Sequence, residues 1–516
     1  MTAVERLPGL PVTVERDVEC SMRDGIVLRA DVYRPEATGP HPVVLLRTPY
    51  NKTVAQSDSG YAHPSWYARH GYVVVVQDTR GRWASEGTFW PFRSEGDDGF
   101  DSVEWAARLP GGDGRVSMIG YSYAGAAQLL AAMEQPPSLA SICPAFTASP
   151  GDGWFRRGGA FSLAFARSWA LSLARDDRNI ARDEMPPYYR EWLDGPAGLD
   201  WPFEKIAVPC LHIGGWWDVF IAQTVETFRR VSAVASAPQK LLVGPWLHEP
   251  WHSVGTNDPS AGATAIDDWQ LRWLEHVLER DRSDAFAEPV TAYVVGDGWR
   301  DFDAWPPTAG RATELFLHSD GRANSAGGDG VLSANPPGDE LPDVFVHDPE
   351  YPPPSAGGHS CCDPAIAPVG PASQMERESS KAVLVYTSAE LEEDLELVGD
   401  PALTLFAASS ADDTDFAARL CVVDEAGGST NVQEGIVRAR FRDSLVDPAP
   451  IEPSRVYEYR IALGPVALRV PAGHRLRLSL SSSDHPMWDL NGTTVVTQVV
   501  LHDRDHPSRL SLPVSS

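Results

Sequence analysis

The run Gly120-Tyr121-Ser122-Tyr123-Ala124-Gly125 constrains this chain more than any other. It has the form Gly-x-Ser-x-Gly, and the β-type segment Arg115-Val116-Ser117-Met118-Ile119 leads straight into it. An Ala-rich stretch of helical composition, Ala126 to Met133, follows. Strand, sharp turn and helix around this motif form a nucleophile elbow. The glycines let strand and helix approach closely, and the turn exposes the Ser122 hydroxyl. The backbone N–H of Tyr123 then lies at a helix start, where it is available to a developing oxyanion. The bare pattern also occurs as an ordinary serine in a Gly-rich turn; the flanking strand and helix favour the catalytic reading.

A serine hydroxyl is a weak nucleophile at neutral pH and needs a His base oriented by a carboxylate. On this type of sheet the chain order is Ser, acid, His. Val208-Pro209-Cys210-Leu211-His212-Ile213 reads as a buried strand and ends in Gly214-Gly215-Trp216-Trp217-Asp218. Lys240-Leu241-Leu242-Val243-Gly244 is the next such run and ends in Pro245-Trp246-Leu247-His248. Asp218 and His248 are therefore expected just past the C-terminal ends of consecutive strands, the edge where ligands bind. His252, one helical turn beyond His248, is an alternative base, and His212 reads as a core histidine.

Several segments resemble the cocaine esterase group of α/β-hydrolases, which also includes X-Pro dipeptidyl-peptidases (S15), α-amino acid ester hydrolases and glutaryl-cephalosporin acylases. The matching stretches are Arg47-Thr48-Pro49-Tyr50-Asn51-Lys52, Gln77-Asp78-Thr79-Arg80-Gly81, Gly120 to Gly125, Gly214 to Asp218 and Gly244 to His248. Gly435 to Arg442 and Pro471 to Leu476 continue the likeness, in order, through nearly the whole chain. The resemblance implies that the hydroxyl of Tyr50 completes the oxyanion hole with the Tyr123 N–H. From the residues alone, Tyr50 is a packed aromatic at a strand end.

The resemblance also bears on substrate. Related α-amino acid ester hydrolases hold the substrate ammonium with carboxylates two and three residues after the triad Asp. Here those positions are Phe220 and Ile221. The aromatic resembles cocaine esterase-type enzymes and implies an apolar acyl pocket lined by Phe220, with Trp217, Trp154 and Trp169 as further substrate contacts. Cys361 and Cys362 stand, in a loose alignment, where that group presents large apolar side chains. The expected activity is cleavage of carboxylic esters with apolar or aromatic acyl groups. An amide or X-Pro peptide substrate is the alternative, and a non-catalytic binding module is disfavoured by the complete catalytic set.

The expected architecture is an α/β-hydrolase, a mostly parallel doubly wound sheet with a helical cap insertion and a C-terminal β-sandwich. Its hydrolase domain spans 1–146 and 206–310, and the cap 147–205. Within the first part, Glu95 to Leu109 reads as an amphipathic helix with acids at its positive end. The cap breaks the β–α rhythm and carries Trp154, Phe155, Phe161, Phe165 and Trp169, most of them expected in its own core. In 311–516, short alternating runs such as Leu476, Leu478 and Leu480 between Arg475, Arg477 and Ser479 suggest a sandwich; the resemblance implies a jelly roll.

At 516 residues the chain exceeds one ordinary core. A net charge of −28 argues against nucleic acid and anionic membranes as partners. No apolar run is long enough for a membrane helix, and the N-terminus has no signal-peptide core. Six cysteines, at 20, 143, 210, 361, 362 and 421, fit neither a disulfide framework nor a zinc site. The expectation is a reduced, cytoplasmic enzyme without metal or cofactor, acting on a small molecule and compatible with a homodimer.

Overall fold

The computed structural model describes residues 4–515 except 8, 55–60, 149–153, 176–183, 196–200, 249–252, 263–264, 280–285, 363–364 and 366–368. His252 lies outside the described residues.

Continuous apolar runs such as Val43 to Leu46 and Val73 to Val76 bury both faces, which is what a parallel sheet covered by helices on each side demands. The central strands are parallel and stand in the order Val73–Asp78, His41–Thr48, Gly112–Tyr121, Leu139–Ala145, Cys210–Trp217, Gln239–Leu247 and Val290–Val294. Antiparallel strands Val27–Pro35, Val12–Ser21 and Val4–Arg6 extend one edge, and Gly298–Phe302 closes the other. From His41–Thr48 the chain first steps outward to Val73–Asp78, then crosses back to Gly112–Tyr121. That reversal opens a crevice at the C-terminal strand ends.

The helix Glu95–Ala107 has Glu95, Asp97 and Asp98 in its first turn and buries Val103 and Ala106. Those acids stabilise the positive end of the helix dipole. The helix Ala265–Val277 buries Trp273, with Trp269 partly covered. After Leu139–Ala145 the rhythm breaks. A small ribbon, Arg156–Arg157 with Ala160–Phe161, precedes the helices Leu163–Arg175 and Pro187–Asp194.

Strands from Arg311–His318 to Arg509–Val514 form a second hydrogen-bonded network with its own apolar core. Arg475–Ser481 lies between Leu384–Ser388 and Asp415–Val423; its leucines are buried while Arg475 and Arg477 are half-buried. The strand-rich domain joins the sheet through backbone bonds from Val295 N–H to Ala467 O (2.9 Å) and from Arg469 N–H to Val295 O (2.9 Å). Among the described residues no helix is long and apolar enough to cross a membrane.

The cysteine expectation needs one correction. Cys361 and Cys362 are bonded to each other, whereas Cys20, Cys143, Cys210 and Cys421 are buried free thiols. Framework spacing rules look for distant partners and miss a ring closed across a single peptide bond.

Candidate active site

Ser122 sits between the strand Gly112–Tyr121 and the helix Tyr123–Met133, with φ +56°. Such a φ is costly for a non-glycine residue and survives only where the surroundings impose it. Two contacts show how they do so. Gly120 has φ +145°, and a Cβ there would meet Ala124 Cβ at 2.6 Å. A Cβ on Gly125 would meet Thr147 Cβ at 2.8 Å. Ser122 is locked further by its N–H to Ala145 O (2.9 Å) and by the Thr147 hydroxyl donating to its carbonyl (2.9 Å).

Asp218 and His248 follow the strands Cys210–Trp217 and Gln239–Leu247, which pair in parallel register. His248 Nδ1 lies 2.6 Å from Asp218 Oδ1, and Nε2 lies 3.1 Å from Ser122 Oγ. An ionised carboxylate can only accept, so Nδ1 carries the ring proton and Nε2 is left to accept from the serine. All three side chains are buried. His212, by contrast, bonds Gln239 through Nε2 (3.1 Å) deep in the sheet, and burial pushes its pKa down to about 4. It is a neutral core residue.

The Tyr123 N–H is the first of the helix and has no intrahelical acceptor. The Tyr123 side chain is buried; its hydroxyl donates to Glu95 Oε1 (2.8 Å), while Arg47 holds Glu95 Oε2 at 2.6 Å. Burial and the Glu95 charge raise the Tyr123 pKa far above the ordinary phenol value, so it stays protonated as an anchor. Tyr50 follows the strand His41–Thr48, and its oxygen accepts from Trp169 Nε1 (2.9 Å). That bond uses a lone pair of the phenol, a group that can both accept and donate. Asp78 stitches the loop in place, accepting from the N–H of Lys52 (2.7 Å) and of Ala84 (3.2 Å). Arg82 and Trp83 both donate to Pro49 O. Tyr50 is thereby packed, partly buried, against the same cluster that holds Tyr123 and Phe220.

An aromatic enclosure adjoins these groups. Phe220 stands edge-on to His248 (centroids 5.4 Å, 75°) and packs on Trp154 (4.5 Å), which contacts Trp169 (5.0 Å). Phe165, Phe155, Trp192, Tyr188 and Cys361 belong to the same buried cluster, with Tyr50 at its margin. The structure sets Trp217 apart from it. Its ring stacks on His359 (5.5 Å, 22°) and packs with Trp216, Val225 and Ala467, against the expectation that it faces the substrate. Trp217 is the last residue of the strand Cys210–Trp217, whereas Phe220 lies beyond the turn at Asp218, at the start of the helix Ile221–Ser232. Trp217 also lines a cavity of about 270 Å³ at the seam with the C-terminal domain.

Sequence reasoning missed three supports. Glu95 appeared only as an acid at a helix start. His359 bonds Trp216 O through Nε2 (2.7 Å) and Glu434 Oε1 through Nδ1 (2.9 Å), tying a loop of the C-terminal domain to the strand that carries Asp218. Burial opposes the Glu434 charge, but His359 and Arg419 hold its carboxyl down at about 2. The third is the Cys361–Cys362 bond at the enclosure.

The sequence profile of the X-Pro dipeptidyl-peptidase (S15) family matches residues 24–194 and 173–250, and that of the X-Pro dipeptidyl-peptidase C-terminal non-catalytic domain matches 285–511. The chain is 32% identical to cocaine esterase of Rhodococcus sp. (strain MB1 Bresler), over 97% of this chain and 98% of that one. It is 24% identical to a putative serine esterase of Mycobacterium bovis, over 96% and 94%. In fold it is similar to an aminopeptidase from a marine sediment archaeon, Thaumarchaeota archaeon (TM-score 0.81, 22% identity, 99% and 98% covered). It is equally similar to an α-amino acid ester hydrolase (TM-score 0.81, 22% identity, 100% and 98% covered).

Proposed function

The chain belongs to the cocaine esterase and X-Pro dipeptidyl-peptidase (S15) family of serine hydrolases, and from that premise we propose that it cleaves carboxylic esters with apolar or aromatic acyl groups through an acyl-enzyme. The observation that carries this reading is the contact of Phe220 with both His248 and the Trp154–Trp169 cluster, which sets an apolar enclosure directly against the serine and its base. Ser122 Oγ attacks the carbonyl as His248 Nε2 takes its proton. Asp218 holds the imidazole tautomer and stabilises the imidazolium. Charge developing on the carbonyl oxygen is met by the Tyr123 N–H and the Tyr50 hydroxyl. His248 returns the proton to the leaving alcohol, and a water then repeats the sequence to release the acid.

Phe220 and Ile221, both buried and apolar, offer no countercharge to an amine next to the triad acid. Glu95, beside Tyr123, is already engaged by Arg47 and Tyr123. Both observations favour an ester over a substrate anchored by a free N-terminus. The test compares a p-nitrophenyl ester with Gly-Pro p-nitroanilide, with Ser122→Ala as the blank. Ser122-dependent ester cleavage with a silent anilide is expected; strong anilide cleavage would move the assignment to a peptidase or acylase.

We further propose that 1–146 and 206–310 form the hydrolase domain, 147–205 its cap, and 311–516 a jelly roll. The change of sheet between Gly298–Phe302 and Arg311–His318 supports the last boundary. The four buried free thiols support a reducing, cytoplasmic setting.

A further inference from the structure

Cys361 is buried and packs in the same cluster as Phe220, Trp154 and Trp169, whereas its bonded neighbour Cys362 is exposed. Cys362 has φ +77°, a left-handed conformation that a residue other than glycine adopts only under constraint. The loop before the pair is clamped. The His359 N–H donates to Glu434 Oε1 (2.7 Å), the His359 ring spans Glu434 and Trp216 O, and Gly358 pairs with Gly370 through two backbone bonds (2.8 and 2.9 Å). A clamped strap from the C-terminal domain therefore ends in a small disulfide ring, with Cys361 buried in the aromatic cluster and Cys362 exposed. Every other cysteine is a buried free thiol, so the chain is not built on disulfides. A single accessible disulfide in such a protein is the kind that reductants act on.

We propose that the Cys361–Cys362 disulfide is a specificity-determining wall of the acyl pocket, and that its reduction by a dithiol lowers the preference of the enzyme for aromatic over small acyl groups; this rests on the ester reading above. In the reaction, one thiolate of the dithiol attacks the Cys362 sulfur, forms a mixed disulfide and expels the Cys361 thiolate, which takes up a proton. The second thiol of the reductant then attacks its own sulfur in the mixed disulfide, loses its proton and releases the Cys362 thiol. Two electrons and two protons pass to the protein, and the reductant leaves as a cyclic disulfide. Opening the ring frees Cys362 from its constrained backbone and lets Cys361 turn away from Phe220 and Trp154. An aromatic acyl group reaches that wall and loses its contact with sulfur and rings; an acetyl group is too short to notice.

The test starts from the full-length oxidised enzyme and the same enzyme reduced with dithiothreitol, freed of reductant and kept anaerobic. Alkylation with N-ethylmaleimide and peptide mass analysis should label Cys361 and Cys362 only after reduction. The ratio of kcat/KM for p-nitrophenyl benzoate to that for p-nitrophenyl acetate should fall about five-fold on reduction, the scale of one sulfur–aromatic contact. The rate of Ser122 labelling by an aryl fluorophosphonate, relative to a methyl one, should fall in parallel. Cys361→Ala/Cys362→Ala should show a low ratio that dithiothreitol no longer changes; if that variant does not fold, Cys362→Ser serves as the permanently open form. Labelling of both cysteines without reductant would overturn the proposal, as would full reduction with both ratios unchanged. Phosphonate labelling does not depend on the substrate being an ester. A redox-dependent labelling ratio with inert esters would therefore sink the ester reading and leave the wall standing, whereas active esters with redox-blind ratios would do the reverse.

Discussion

The floor and the wall of the active site are built by different means. On the proposed reading the floor consists of Ser122, Asp218 and His248 at the ends of paired parallel strands, plus two oxyanion donors braced by buried charge: Arg47 on Glu95 beneath Tyr123, and Asp78 on the loop of Tyr50. The wall is aromatic and drawn from three places: Phe220 after the acid, Trp154 and Trp169 of the inserted segment, and Cys361 from the C-terminal domain. Hydrogen bonds with fixed directions position the floor to fractions of an ångström, as transition-state stabilisation requires. Packing without direction shapes the wall, which suffices to choose among substrates of different size but not to accelerate the chemistry.

Mutations should separate the two. Ser122→Ala is expected to lower kcat for a p-nitrophenyl ester about 10⁶-fold with an unchanged circular dichroism spectrum; retained turnover would remove Ser122 from the floor. Asp218→Asn, which leaves the shape but supports the wrong His248 tautomer, should cost about 10⁴-fold in kcat. Tyr50→Phe should cost about 10²–10³-fold in the acylation rate measured by stopped flow, with ground-state binding little changed. An equal loss in binding would make Tyr50 a wall residue instead. Phe220→Leu should leave kcat/KM for the acetate nearly intact and lower it for the benzoate about 2–10-fold, the worth of one or two aromatic contacts; equal losses on both esters would place Phe220 in the floor.

The smallest effect concerns the clamp behind the wall. Glu434 is held at about 2 in the folded state, so its contribution is fully present above the ordinary carboxyl range and is lost as pH falls towards 2. Glu434→Gln should lower stability at pH 7 by about 1–3 kcal/mol, since it weakens two charge-assisted bonds to His359. The gap in melting temperature between variant and parent should then narrow steadily below about pH 4.5. A gap that stays constant down to pH 3 would mean that the Glu434 charge does not hold the seam.

The floor was legible in the sequence because each of its catalytic candidates terminates an apolar run, and such runs end at one edge of a parallel sheet. For Tyr50 the sequence offers a role only by resemblance, since a tyrosine at a strand end carries no local sign of its partner. That partner, Trp169, is 119 positions away. The wall was less legible for the same reason. The β–α rhythm marked the inserted segment and its aromatics, but pattern alone could not sort Trp217 from Phe220, three positions apart. Nor could it bring His359 to Trp216 across 143 residues, and it gave no hint that Cys361 and Cys362 bond to each other.

Ser122 keeps its left-handed backbone only while the sheet, the Thr147 contact and the helix behind it are all in place. Its base lies 126 positions further along the chain. A polypeptide emerging from the ribosome therefore carries its nucleophile long before it carries anything able to activate it, and the turn can relax until the later strands dock. On the proposed mechanism, reactivity in this protein is a late product of its own synthesis, and a chain cut short before His248 carries an inert serine.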